Sequence, residues 1–187
     1  MTSRAPPDFL IARSVAAAGG HSVTSAPVCA GTKVVPEMEF HVSEPLFVAD
    51  PVLWDPQKPM CHVAKAGDFL WLSGIVAYDD ERRLVGLNDI QAQSRQIFTI
   101  MERRLALFGC DLRSIIRLTT YMAADMKDMT NVRLYWDVRQ EFFGDHRPAS
   151  TGVQVAALMT PDILVEVDAV AYAPDAVAGA GAQILPR

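Results

Sequence analysis

The stretch CHVAKAGDFLWLSG, residues 61–74, predicts the element around which the rest of the domain is arranged. Residues 61–66 and 69–74 have the length and the apolar content of strands, and residues 66–68 between them have turn chemistry. The sequence therefore predicts a β-hairpin. Side chains alternate along a strand, so the second strand places three residues on one face: Phe69, Trp71 and Ser73.

Two helical patterns follow the hairpin. Each can begin at either of two N-cap candidates, Asn88 or Asp89 for the first helix and Asp128 or Thr130 for the second. Gly109 and Gly144 supply the stops at their C-terminal ends. Apolar residues recur at helical spacing in both segments, which predicts one buried face on each helix.

Three further strands are predicted over 113–122, 151–158 and 163–172. The element order is then β-β-α-β-α-β-β, which indicates an α+β domain with one sheet and both helices on one face. On the last strand, four residues share one side: Val165, Val167, Ala169 and Ala171. A small sheet with one uncovered face usually finds a partner, so we expect an oligomer.

The composition excludes several classes of protein. The chain has 187 residues, of which 50% are apolar and 21% charged, as in ordinary globular domains. Its net charge of −5 opposes phosphate backbones, so we expect no nucleic-acid partner. No apolar run is long enough to span a bilayer, so we expect no membrane partner. The three Cys and four His lack metal-ligand spacing, which predicts no metal and fits free thiols in a cytoplasmic protein.

Composition also divides the chain into three parts. Residues 1–57 form an N-terminal extension predicted to be largely irregular, with one short strand at 38–42 and a proline-interrupted surface connector at 45–59. Residues 58–174 form the predicted domain, and the Ala/Gly-rich residues 175–187 a flexible tail. The start of the extension is compatible with an organelle transit peptide or with a poorly ordered tail.

Glu166 and Asp168 are the leading candidates for chemistry. They lie two residues apart on the last strand, so both project from one face, roughly 6.6–6.8 Å apart. A carboxylate among apolar neighbours can have a raised pKa and act as a general acid or base. The alternatives are a solvent-facing strand side or a charge pair at a subunit interface.

A second group of polar side chains follows the second helix. Arg147 has a planar guanidinium suited to a carboxylate, and Ser150 and Thr151 offer hydroxyls; a proline-set surface loop is the alternative. Cys61 and His62 are adjacent on a strand and point to opposite faces, so they do not pair as nucleophile and base. A buried thiol and a half-buried imidazole are expected instead.

Five motifs, taken in order, resemble the Rid family (reactive intermediate deaminases, YjgF-type): AGDFLWLSG at 66–74, FG at 108–109, EFF at 141–143, RPAST at 147–151 and LVEVDAVA at 164–171. The resemblance implies a chorismate-mutase-like fold and a homotrimer with ligand clefts between subunits. It also implies hydrolysis of small-molecule enamines and imines without metal or cofactor. Glu166 matches the family's water-orienting glutamate, and Ser73-Gly74 matches the pair that lines the cleft.

The chain departs from the pattern of the active deaminases at four positions. Their carboxylate-binding Arg is replaced by Ser150, a small polar residue by Gly152, a cleft Tyr by Met60, and an Asn on the second helix by Trp136. This indicates a divergent subgroup acting on another substrate, such as a larger enamine. The spacing alone favours a core position for Trp136. The predicted substrate-binding residues are Ser73, Gly74, Trp136, Arg147, Ser150 and Thr151.

Three hypotheses for the function remain open. The first is a cofactor-free hydrolase of an enamine, imine or related C–N bond, with Glu166 as the catalytic residue. The second is a ligand-binding or regulatory trimer that has lost the chemistry, which the absence of the Arg favours. The third, a ribonuclease, is disfavoured by the acidic net charge.

Overall fold

The computed structural model describes residues 44–186, which form a seven-stranded mixed sheet with two helices. The strands are β1 (Leu46–Ala49), β2 (Val63–Ala66), β3 (Phe69–Ile75), β4 (Ile115–Met122), β5 (Ala149–Gln154), β6 (Val165–Tyr172) and β7 (Gln183–Ile184), and the helices are α1 (Ile90–Ala106) and α2 (Met129–Phe143). The strands run in the order β5-β4-β6-β3-β2-β1-β7, and every neighbouring pair is antiparallel except β4 and β5. That parallel pair is joined through α2, since parallel strands need a crossover connection. The predicted α+β class is confirmed.

Side-chain caps determine where both helices begin. The Asp89 carboxylate accepts hydrogen bonds from two N–H groups in the first turn of α1, both at 3.0 Å. The Asp128 carboxylate accepts one from the N–H of Thr130 at 2.9 Å. The aspartate is therefore the N-cap of each helix. Its negative charge also interacts favourably with the positive end of the helix dipole. Gly109 and Gly144 follow the helices with positive φ angles of 67° and 53°.

Both helices cover the same face of the sheet. The hydroxyl of Tyr135 on α2 lies 2.8 Å from Thr120 Oγ1 on β4. The ring of Phe98 on α1 lies 5.3–6.0 Å from three aromatic rings of α2. β6 contributes to this core the side chains predicted to share one side, all of them buried: Val165, Val167, Ala169 and Ala171. The prediction of one sheet with both helices on one face is confirmed.

The opposite face of the sheet carries an exposed aromatic cluster. Phe69 and Trp71 of β3 share this face with Tyr172 of β6, and each of the three is more than a third exposed. The Phe69 ring centroid lies 5.8 Å from that of Trp71 and 5.5 Å from that of Tyr172. The predicted alternation along the second hairpin strand is thereby confirmed for Phe69 and Trp71, and it ends at Leu72, after which the pairing of β3 shifts register.

Two strands lie where the sequence predicts irregular chain. β1 falls inside the stretch predicted as a surface connector, and β7 inside the predicted flexible tail. β1 extends the hairpin by pairing with β2, and β7 pairs in turn with β1. Segments this short take their strand conformation from the sheet edge they join rather than from their own pattern. The strand predicted over 38–42 lies outside the described residues.

β5 is shorter at its C-terminal end than the predicted 151–158. Its partner β4 ends at Met122, which is in register with Gln154, the last residue of β5. β5 stands at the edge of the sheet and pairs with β4 alone, so its pairing ends where that neighbour ends.

Candidate active site

A β-bulge positions Glu166. β3 and β6 pair at Leu72–Ala169 and again at Ile75–Val167, so the two residues between them on β3 face one residue on β6. One of the two is Gly74. A Cβ added to Gly74 would lie 1.9 Å from Glu166 Oε1, so the carboxyl group occupies the space that any side chain at position 74 would need.

The surroundings of Glu166 change its acidity. The side chain is half-buried, and burial, followed by the charge of Asp168, raises its pKa. Asp168 accepts a hydrogen bond from the Tyr121 hydroxyl at 3.0 Å. Tyr121 lies on β4 in register with Glu166, so the same strand pair positions both carboxylates. Two neighbouring carboxyl groups in unequal surroundings are typical of acid–base sites.

The two neighbouring residues Ser73 and Gly74 face different hollows. The Ser73 hydroxyl donates to the Cys61 carbonyl at 2.7 Å, and its N–H donates to the His62 carbonyl at 3.0 Å. Ser73 lines a shallow hollow with Met60 and Cys61. Gly74 lines a separate cavity of about 350 Å³, which Met60 also borders.

The cavity beside Gly74 is rich in positive charge. Three of its lining residues are cationic and none is acidic; the cations are Lys58, Arg82 and Arg104. Arg82 has an ion-pair partner, since its Nη1 lies 3.8 Å from Asp55 Oδ2. None of these cations stands out in the sequence, because basic residues at these positions have no spacing that marks a site.

Arg104 belongs to a buried ionic cluster next to this cavity. Asp50 is fully buried, and its Oδ2 accepts hydrogen bonds from Arg103 Nε at 3.1 Å and from Arg103 Nη2 at 2.8 Å. Arg104 is only 4% exposed, and its Nε lies 3.8 Å from the same oxygen. Among residues 44–186, Nε and Nη1 of Arg104 have no hydrogen-bond partner. Burial lowers the pKa of Arg104 to about 10, so it remains a cation at neutral pH.

His62 lines the same cavity as a neutral imidazole. Its Nδ1 accepts a hydrogen bond from the N–H of Asp50 at 2.9 Å. Burial, assisted by the charge of Arg104, lowers its pKa to about 4. The prediction for this pair of residues was wrong in its details, because the imidazole of His62 is buried whereas the Cys61 thiol is only partly buried.

The remaining predicted residues surround the end of α2 and β5. The Ser150 hydroxyl accepts a hydrogen bond from Arg139 Nη1 at 2.7 Å, and both residues line a cavity of about 310 Å³ with Trp136. Trp136 is 54% exposed, so the core position favoured by its spacing is wrong. Arg147 is exposed and lines an adjoining hollow. Thr151 is exposed on β5, in register with Thr119.

The predicted residues therefore form two groups in one chain. Ser150 contacts α2 and so lies on the helix-covered side of the sheet. Glu166 alternates with buried Val165 and Val167, which places it on the opposite side. One copy of the chain does not bring these groups together. Arg139, which no motif in the sequence marks, supplies a guanidinium beside Ser150.

The described residues were also searched for metal-binding groups and for membrane-spanning helices. Within residues 44–186, no group of three or more His, Cys, Asp or Glu side chains is arranged to hold a metal ion. In the same part of the chain, neither helix is long and apolar enough to cross a membrane.

The fold defines a class of small α+β domains, and solved structures share it. The structure of the Rid family protein YyfA from Yersinia pestis, whose function is described as unknown, has a TM-score of 0.62 and 22% identity, covering 69% of this chain and 99% of that one. A member of the highly conserved YjgF family from Mycobacterium tuberculosis has a TM-score of 0.57 and 25% identity, with the same coverage.

Sequence comparison agrees with the fold. The family model described as Endoribonuclease L-PSP matches residues 54–173. A RutC family protein of Pyrococcus horikoshii is 32% identical over 117 residues, which are 63% of this chain and 89% of the relative. The 3-aminoacrylate deaminase RutC of Acinetobacter baylyi is 29% identical over the same shares of the two chains. The chain belongs to the Endoribonuclease L-PSP family, also called the Rid or YjgF family, so the resemblance is confirmed.

Proposed function

We propose that this protein hydrolyses the C–N bond of a small enamine or imine without metal or cofactor, and that Glu166 is its catalytic residue. The observation that carries the proposal is the Glu166 carboxyl group, which has a raised pKa and is held over Gly74, a residue that lines a cavity of about 350 Å³. A general base works best when its pKa approaches the operating pH, which a raised carboxylate pKa favours. The deaminase of Acinetobacter baylyi shows that relatives include an enzyme acting on a C–N bond.

The reaction needs one proton carrier. An enamine first takes a proton from solvent at carbon and becomes an iminium ion, whose carbon is electrophilic; an imine substrate reaches the same ion by protonation at nitrogen. Glu166 accepts a proton from water as the water oxygen bonds to that carbon, and the C=N electron pair moves to nitrogen. The carbinolamine then collapses: Glu166 passes the proton to nitrogen, the C–N bond breaks as ammonia leaves, and Glu166 takes the hydroxyl proton as the carbonyl forms and returns it to solvent. One water is consumed for each ammonia released, and positioning of the water supplies much of the acceleration.

The two groups of predicted residues meet only if copies of the chain associate. The exposed cluster of Phe69, Trp71 and Tyr172 is the kind of apolar surface that becomes covered in an oligomer. In the homotrimer that the family resemblance implies, Trp136, Arg147, Ser150 and Thr151 of one copy complete the cavity of the next. We propose this intersubunit arrangement as the substrate cleft.

A non-catalytic ligand-binding trimer is the second candidate. It is favoured by one observation, which is that position 150 carries a hydroxyl already engaged by Arg139 rather than a guanidinium. The family description names an endoribonuclease, but the net charge of −5 opposes RNA binding, and we propose no nucleic-acid partner.

Ammonium release separates the two candidates. Imines are generated in situ by an amino-acid oxidase, and ammonium is measured above the uncatalysed rate. Glu166→Gln is expected to lower turnover by roughly 10²-fold or more, as for loss of a general base. Glu102→Gln makes the same chemical change on an exposed turn of α1 and should leave turnover intact. An undiminished rate in Glu166→Gln would refute the assignment, and stabilisation by ligands without turnover of any imine would support binding alone.

A further inference from the structure

The cationic cavity beside Gly74 has more charge than its surroundings neutralise. Arg82 is paired with Asp55, and Arg103, outside the cavity, holds Asp50 and reaches Asp80 at 2.7 Å. Arg104 is left with a 3.8 Å approach to Asp50 as its ion pair. The Asp50 oxygen it approaches already accepts two hydrogen bonds from Arg103.

The unpaired N–H groups of Arg104 are energetically unfavourable as they stand. The residue is 4% exposed, and Nε and Nη1 have no hydrogen-bond partner within the described chain. A buried donor without a hydrogen-bond partner costs free energy, because it has lost its hydrogen bonds to water. This desolvation cost is larger for a charged group than for a neutral one. An apolar residue at position 104 would avoid this penalty, so a nearly buried guanidinium that lines a cavity without acidic residues points to an anion as its partner.

His62 adds a donor to the same cavity. Its Nδ1 is occupied as an acceptor by the N–H of Asp50, so the proton of the neutral ring is on Nε2. Lys58 contributes an exposed ammonium at the rim. A guanidinium, an N–H donor and an ammonium together suit the two oxygens of a carboxylate, which accept about four hydrogen bonds.

We propose that the cavity beside Gly74 is a carboxylate-binding site, with Arg104 as the principal cation and His62 and Lys58 as additional donors. The proposal rests on the proposed function and makes the substrate a carboxylate-bearing enamine or imine. Gly74 borders both the cavity and the Glu166 carboxyl group. Gly74 is thus the link between the two, and in the proposed binding mode the C–N carbon of a substrate held at Arg104 lies at the Gly74 end of the cavity. Arg104 is a specificity-determining residue in this account.

Binding of simple carboxylates to the full-length protein tests the site without requiring turnover. Propionate and benzoate are titrated by calorimetry at fixed ionic strength, each against its neutral amide. The carboxylates are expected to bind at least tenfold more tightly than the amides, because charge-assisted hydrogen bonds strengthen one and not the other. Equal affinity for propionate and propionamide would overturn the proposal.

Variants locate the anion. Arg104→Met is expected to weaken propionate binding at least tenfold, whereas Arg133→Met, the same change on the exposed side of α2, leaves it intact. Arg104→Met should also melt no lower than the wild type, because it removes a buried cation with unpaired donors. Loss of binding in Arg139→Met with full binding in Arg104→Met would place the anion at the Ser150 cavity and contradict the proposal.

A surface variant keeps the test decisive if Arg104→Met fails to fold. Lys58→Gln changes an exposed side chain of the cavity and should weaken propionate binding roughly two- to fivefold, as for one partly screened charge. Lys127→Gln is the matched control outside the cavity. Unchanged affinity in Lys58→Gln, when Arg104→Met does not fold, would also count against the site.

The binding and turnover measurements can fail separately. Carboxylate binding that depends on Arg104, without ammonium release from any imine, supports this site and removes the proposed hydrolase. Ammonium release that depends on Glu166, without preference for carboxylates over amides, supports the hydrolase and removes this site.

Discussion

Gly74→Ala tests whether the space over the bulge is what positions the carboxyl group of Glu166, the proposed catalytic residue. The added Cβ would lie 1.9 Å from Glu166 Oε1, whereas ordinary contacts begin near 3.4 Å, so the carboxyl group must retreat by about 1.5 Å. Misplacement of a catalytic group by about 1 Å can lower a rate by roughly 10²-fold. We therefore expect a loss of that order in ammonium release.

Stability should change little in the same variant. The φ angle of Gly74 lies outside the left-handed region, so alanine is not strained there by its backbone. Alanine has fewer conformations in the unfolded chain than glycine, so the substitution stabilises the folded state by roughly 0.4–1 kcal/mol. This gain offsets part of the free-energy cost of displacing Glu166. Gly181→Ala is the matched control, because no heavy atom lies within 4 Å of its added Cβ.

A double-mutant cycle decides how Gly74→Ala acts. If the substitution acts through Glu166, it should lower activity roughly 10²-fold in the wild type and hardly at all in a Glu166→Gln background. Ammonium release is measured on one imine substrate for all four proteins. Full activity of Gly74→Ala, or an equal loss in both backgrounds, would refute the reasoning.

Three further predictions follow from the geometry. The raised pKa of Glu166 means that the native state binds more protons than the unfolded chain just above pH 4.5, so the free energy of unfolding falls as pH rises through that window. In thermal scans, Glu166→Gln should lack this fall and melt at a higher temperature than the wild type at pH 7. The difference in melting temperature should shrink below pH 4.5. The pKa of His62, lowered from 6.5 to about 4, has the opposite effect: the free energy of unfolding decreases as pH falls from 6.5 to 4, by at most about 3 kcal/mol. Urea titrations of His62→Gln should show a smaller decrease over this range. An equal decrease in the variant would contradict the lowered pKa of His62. Trp71→Glu places a charge in the exposed aromatic cluster. In light-scattering measurements it should convert the proposed trimer of three 20.5 kDa chains into folded monomers, whereas an unchanged mass would show that this face is not the interface.

Much of the fold could be predicted because local chemistry and burial agree. Asp89 and Asp128 cap their helices with the acceptor geometry that their side chains allow, and Gly109 and Gly144 follow those helices with positive φ. The alternation on β6 was readable because one side of that strand is buried and the other is not. β1 and β7 were not predictable, since four- and two-residue segments carry no period of their own.

The candidate site was only partly predictable. Glu166 and Gly74 were identified, but the bulge that brings them together depends on pairing between β3 and β6, which are about ninety residues apart in the chain. Arg104 gave no signal, because a basic residue near the end of a helix is ordinary for reasons of helix stability. Its proposed role rests on its burial and on the pairing of Asp50 with Arg103, which only the folded chain shows.

The pH dependence of kcat/KM for ammonium release tests most directly whether Glu166, with its raised pKa, is the proton acceptor. The account predicts an acidic limb with an apparent pKa above 4.5 in the wild type. It predicts that Asp168→Asn moves that limb downward, because the charge of Asp168 contributes to the raised pKa. A limb that stays in place in Asp168→Asn, or that persists in the residual activity of Glu166→Gln, would contradict it.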